Sequence, residues 1–82
     1  MEVSVYPNPT NDIVNINYTL ENATNVVVQL TNIQGQVISQ TKLDKSSGLQ
    51  TDTLNLSNQA SGMYFVTIAT ETESFTTKVV KR

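Results

Sequence analysis

Seven carboxylates, Glu2, Asp12, Glu21, Asp44, Asp52, Glu71 and Glu73, are the side chains best suited to acid–base work here, because the chain has neither histidine nor cysteine. Two carboxylates held at a fixed separation across a cleft would cleave a glycosidic bond. None of the seven sits within an apolar strand face, where burial could raise a pKa. All fall in or beside turns, so solvated charges are expected. A calcium ion among Asp12, Asp44 or Asp52 would need the dense, alternating oxygen ligands of a dedicated loop, which this spacing lacks. Serine and threonine are plentiful, but a nucleophilic hydroxyl needs an activating base and no histidine exists to serve. Ser46, beside Lys45, and Ser47 stand in a loop without the surrounding motif that a Ser–Lys nucleophile requires. No catalytic residue, metal or cofactor is expected.

Binding chemistry is left. The net charge is −2, charged residues make up 15% of the chain, and no stretch interleaves Lys and Arg with aromatics. A nucleic-acid surface is therefore not expected. Sugar-binding sandwiches present planar aromatics on an exposed face. Here there is no tryptophan, Tyr18, Tyr64 and Phe75 fall on inward positions, and only Tyr6 is loosely placed. The sequons at Asn17, Asn22 and Asn55 match the glycosylation pattern, as chance supplies in a chain rich in Asn and Thr. The polarity comes from Thr, Asn, Gln and Ser, a surface common on exported bacterial β-domains. No run of about 18 apolar residues exists, so no membrane insertion is expected. Met1–Val5 lacks the basic and apolar regions of a signal peptide. If the protein is exported, its export signal belongs to a longer precursor and Met1 is expected to be a cloning start.

These side chains must be positioned by strands, because apolar residues recur at every second position. Val3–Tyr6 opens the pattern. Val14, Ile16, Tyr18 and Leu20 follow, then Val26, Val28 and Leu30, with Val27, Gln29 and Thr31 facing the other way. Val37, Ser39, Thr41 and Leu43 alternate with Ile38, Gln40 and Lys42. Leu54 and Leu56 close a short run, and Tyr64, Val66 and Ile68 precede Phe75, Thr77 and Val79. The breaks carry turn chemistry. Each proline of Pro7-Asn8-Pro9 lacks an N–H and fixes φ, so this segment is no central strand. Asn32-Ile33-Gln34-Gly35 reads as a hairpin turn, with Gly35 taking the positive φ. Lys45–Gly48 is a surface loop, Ser57–Gly62 a longer connection and Thr70–Glu73 a polar hairpin.

About seven short antiparallel strands at ten-residue spacing predict an all-β, immunoglobulin-like two-sheet β-sandwich forming one domain over residues 1–82. Its core should hold Val14, Ile16, Val28, Leu30, Leu54, Leu56, Val66, Ile68 and Val79. Leu56, Ala60, Gly62 and Tyr64 form the most structured local pattern. A tyrosine there bonds its hydroxyl back to the preceding loop in many Greek-key sandwiches, and Gly62 lets the chain turn just before it.

Four pieces, read in order, spell something more specific: Tyr6-Pro7-Asn8-Pro9; Ile33, Gly35 and Val37; Leu56 followed by Ser61-Gly62-Met63-Tyr64-Phe65-Val66-Thr67-Ile68; and Lys78-Val79-Val80-Lys81 at the C-terminal end. From about Val3 to Arg82, the chain resembles the type A C-terminal sorting domain of the type IX (Por) secretion system. Gln34-Gly35 replaces the more usual Asn-Gly, and Arg82 is one extra basic residue. The resemblance implies an address label excised from a larger secreted precursor. Cargo would cross the inner membrane by a signal peptide, pass through the periplasm, and be directed across the outer membrane to the cell surface or medium. Its implied partners are the outer-membrane translocon, shuttle proteins and a surface sortase that cuts upstream of the domain. The residues it marks for recognition are Pro7, Asn8, Pro9, Gly35, Gly62, Tyr64, Lys78, Val80, Lys81 and Arg82. The last strand would offer a backbone edge for pairing. Since Val80 is the last apolar residue, Lys81 and Arg82 should project beyond that strand into solvent. The alternative is a fibronectin-like or adhesin-type accessory module that binds carbohydrate or spaces other domains. A sorting domain must end its full-length protein, whereas a spacer need not.

Overall fold

A computed structural model describes residues 2–82. The period-two pattern yields seven strands: β1 (Val3–Tyr6), β2 (Ile13–Leu20), β3 (Thr24–Asn32), β4 (Val37–Lys45), β5 (Gly48–Asn55), β6 (Gly62–Ala69) and β7 (Ser74–Lys81). No helix occurs among the described residues. The strands form two antiparallel sheets, ordered β1-β2-β5 and β4-β3-β6-β7. This is an immunoglobulin-like sandwich in which the fourth strand lies beside the third, where constant-type domains place it beside the fifth.

The inward residues of β2, β3 and β6 meet between the sheets. Val14, Ile16, Tyr18 and Leu20 face Val26, Val28 and Leu30 together with Tyr64, Val66, Ile68, Val79 and Leu56, all buried. Each such side chain contributes roughly 1.5–3 kcal/mol relative to exposure. Of the expected core, only Leu54 is merely half-buried, at the cluster's margin, because β5 is an edge strand with no neighbour on its far side.

Two expectations are corrected. Val37 and Leu43 do not share a face, because β4 bulges. Leu30 pairs with Ser39 but Thr31 pairs with Val37, leaving Ile38 as the extra residue. One inserted residue inverts the facing of what lies beyond it. Ile38 and Leu43 therefore both pack against the core, while Val37 is 52% exposed. Asp52 is not a turn residue either. It lies within β5, opposite the buried Ile16, and so faces the space between the sheets. Its carboxylate accepts the Tyr18 hydroxyl at 2.5 Å on Oδ2 and the Lys45 ammonium at 2.9 Å on Oδ1. A carboxylate turned inward needs such partners. Lys45 ends β4, so the pair ties the two sheets together along their β4–β5 margin. Burial, then the hydrogen bond to Asp52 and its negative charge, push the Tyr18 phenol above its ordinary pKa.

Candidate recognition end of the sandwich

The strand register gathers four segments at one end of the sandwich: the β1–β2 loop (residues 7–12), the β3–β4 hairpin around Gly35, the β5–β6 connection (residues 56–61) and the end of β7. Asn32 pairs with Tyr64 and Gly62 with Lys81, so hairpin, connection and last strand arrive together. The Leu56 N–H donates to the Asp12 carbonyl at 2.7 Å, joining the connection to the first loop.

Local chemistry shapes each piece. Asn32 organises the hairpin: its Oδ1 accepts the Gln34 and Gln36 N–H groups, and its Nδ2 donates to Gln36 Oε1. Gly35 sits at φ +86°, where a Cβ would be strained. Gly62, at φ +151°, opens β6 two residues before Tyr64. The Tyr64 ring is buried, and its hydroxyl donates to the Ala60 carbonyl at 2.5 Å, locking the connection onto the strand as expected of this pattern.

The first loop does more than turn. Both X-Pro bonds, Tyr6–Pro7 and Asn8–Pro9, are cis, and the segment lies alongside the outer edge of β7. The Asn8 side-chain amide imitates a strand: Nδ2 donates to the Lys78 carbonyl at 2.9 Å, and Oδ1 accepts the Val80 N–H at 3.0 Å. Thr10 continues the pairing with its backbone. Its N–H donates to the Val80 carbonyl at 2.9 Å, and its carbonyl accepts the Arg82 N–H at 2.9 Å, in parallel register. Thr10 itself is 1% exposed, and its hydroxyl donates to the Ile13 carbonyl at 2.6 Å.

Contrary to the expectation of a free pairing edge, the C-terminal part of the final edge is therefore not open. From Lys78 to Arg82 it is occupied by the chain's own residues 8–10. Nor does Lys81 project beyond the strand: it is the last residue of β7, half-buried and paired with Gly62, and Arg82 is held through its N–H. What remains exposed are the Pro7, Asn8 and Pro9 rims, Gly35, Gly62, Lys78 and Arg82. Val80 is half-buried and Tyr64 turns inward. All ten residues marked in the sequence lie at or beside this end. Thr10 is missed by sequence reading.

Chemically, the described residues of this end offer backbone, amide and cationic groups together with the Asp12 carboxylate. Tyr6, 45% exposed, accepts a hydrogen bond from Asn17 Nδ2 at 3.0 Å, and one aromatic does not make a sugar platform. The opposite end carries Glu2, Glu21, Glu71 and Glu73 around a shallow depression. Among the described residues, no three Asp or Glu side chains converge to hold a metal ion. A family model described as the secretion system C-terminal sorting domain matches residues 4–82. No curated protein matches the chain significantly.

Proposed function

Because the chain belongs to the secretion system C-terminal sorting domains, signals for type IX secretion that imply export towards the outer membrane, we propose that the end of the sandwich built on β7 is what the machinery reads. On this reading residues 1–82 form one domain that ends a larger secreted precursor. The translocon engages it after the cargo has reached the periplasm, shuttle proteins carry it on, and a surface sortase cuts upstream. The domain acts by being bound, without a catalytic centre of its own.

One observation carries the reading. Asn8 and Thr10 hold the last strand in place across about seventy residues of chain, so separate sequence motifs become a single surface displaying Lys78 and Arg82, with Lys81 half-buried beside them. A label that must be recognised on many cargoes needs an independently folded, inert body with its readable features at one end. The test is a fluorescent cargo fused ahead of the chain in a host that has the secretion system. The parent fusion should reach the medium or cell surface. Lys78→Glu with Arg82→Glu should stay in the periplasm while the purified domain melts as the parent does, since both residues are exposed and exposed charges alter stability by less than about 0.5 kcal/mol. Normal export of that variant sinks the reading.

A further inference from the structure

On the four-stranded sheet, the large exposed apolar side chains stand at the recognition end. Inward facing of Tyr64, Val66 and Val79 turns Met63, Phe65, Lys78 and Val80 outward. Cross-strand register then builds the face row by row. Val37, Thr31, Phe65 and Lys78 lie side by side, and Met63 and Val80 form the next pair towards the end. The neighbouring row on the other side is Gln40, Gln29, Thr67 and Thr76, which bounds the apolar patch with amides and hydroxyls. Val37 is 52% and Met63 45% exposed, and the half-buried Phe65 and Val80 adjoin them. Ile33, in the hairpin at this end, is 64% exposed.

Single exposed apolar side chains need no explanation, but a contiguous group rimmed by polar residues marks an interaction site. The β4 bulge contributes to it. By turning Ile38 into the core, it swings Val37 out beside Thr31 and Phe65. The charges of the last strand beside the patch are all cationic, with Asp12 the carboxylate of the loops at this end. Lys78 stands in its row, with Lys81 and Arg82 at the end of the same strand, whereas Glu2, Glu21, Glu71 and Glu73 crowd the opposite end of the molecule.

We infer that this patch is a docking surface for a partner protein of the secretion machinery whose matching face has an apolar centre and Asp or Glu carboxylates opposite Lys78. The inference rests on the sorting reading and adds to it a second face, on the sheet itself. Burying Val37, Met63 and Phe65 supplies the favourable area, and the lysine sets the orientation.

The test uses the same fluorescent cargo fusion. Val37→Asp with Met63→Asp puts carboxylates into the patch at two exposed positions. Thr51→Asp with Thr53→Asp does the same on the exposed outer face of β5. The expected result is normal export of the parent and of the β5 variant. The patch variant should fall by about tenfold or more in exported cargo, as loss of an interface anchor does, with its melting temperature kept. If the aspartates unfold the sheet, Val37→Thr with Met63→Gln removes the apolar surface without adding charge and carries the same expectation. In the exporting strain, a carbodiimide should couple Lys78 to an Asp or Glu of an outer-membrane secretion component, and this product should vanish in the patch variant. Normal export of the patch variants, an equal loss in the β5 variant, or no such coupling overturns the docking inference and leaves the sorting reading standing. So does a dimer of the purified chain, or its binding to anionic lipid vesicles, that the aspartates abolish. Failure of the parent fusion to be exported brings down both.

Discussion

Removing the Tyr64 hydroxyl leaves the Ala60 carbonyl without its donor beside a buried ring. Tyr64→Phe keeps the packing volume and should cost about 1 kcal/mol in chemical denaturation, more if water cannot reach the orphaned carbonyl. A variant as stable as the parent would show that the ring alone matters. Tyr18 makes a different prediction. Its phenol is pushed above the ordinary value in the folded state, by burial first and then by Asp52. A folded pKa above the unfolded one means that the native state holds the proton more tightly. This stabilisation is fully present below the unfolded tyrosine pKa of about 10 and is lost as the pH rises above it. Stability measured between neutral pH and strong alkali should therefore decline from about pH 10, and Tyr18→Phe should flatten that decline. A decline unchanged in the variant would assign it to other groups. Tyr64 was legible because glycine, tyrosine and their target lie within five residues. Asp52 was not, because its partners come from β2 and from Lys45 in the other sheet.

Strands are legible wherever the alternation is unbroken, as in β2, β3 and β6. In β4 a bulge interrupts it, and no residue type in Val37-Ile38-Ser39 announces which member is extra. Turn chemistry reads well: Gly35 has the positive φ that the hairpin requires, and Gly35→Ala should destabilise by about 1 kcal/mol through backbone strain. The pairing of residues 8–10 with β7 was out of reach, since two prolines argue against a strand and the decisive acceptor is a side chain. Asn8→Ala deletes both of its bonds to β7. The Val80 amide should then exchange with solvent deuterium faster than in the parent, while the buried Val66 and Ile68 amides keep their protection. Equal protection of Val80 in both proteins would mean that the asparagine holds nothing.

Across the whole molecule, two sheets, one core and a separation of charge between the ends follow from the register. The sandwich class was readable from strand number and spacing, whereas the charge separation became visible only when distant loops were brought together. One consequence is mechanical. The segment at residues 8–10 runs parallel to Lys78–Arg82, so tension between a load fused at the N-terminal side and an anchor on the last strand pulls the two segments past one another. The two Asn8 bonds and the two Thr10 bonds are then strained together rather than broken in succession, which is the geometry that resists force best. A domain towed by its final strand with a folded protein behind it would bear its load through these contacts. In single-molecule pulling between residues 2 and 82, the parent should yield at a higher force than Asn8→Ala, by a margin larger than the two proteins' difference in equilibrium stability suggests. Equal yield forces would place the mechanical resistance elsewhere in the sandwich.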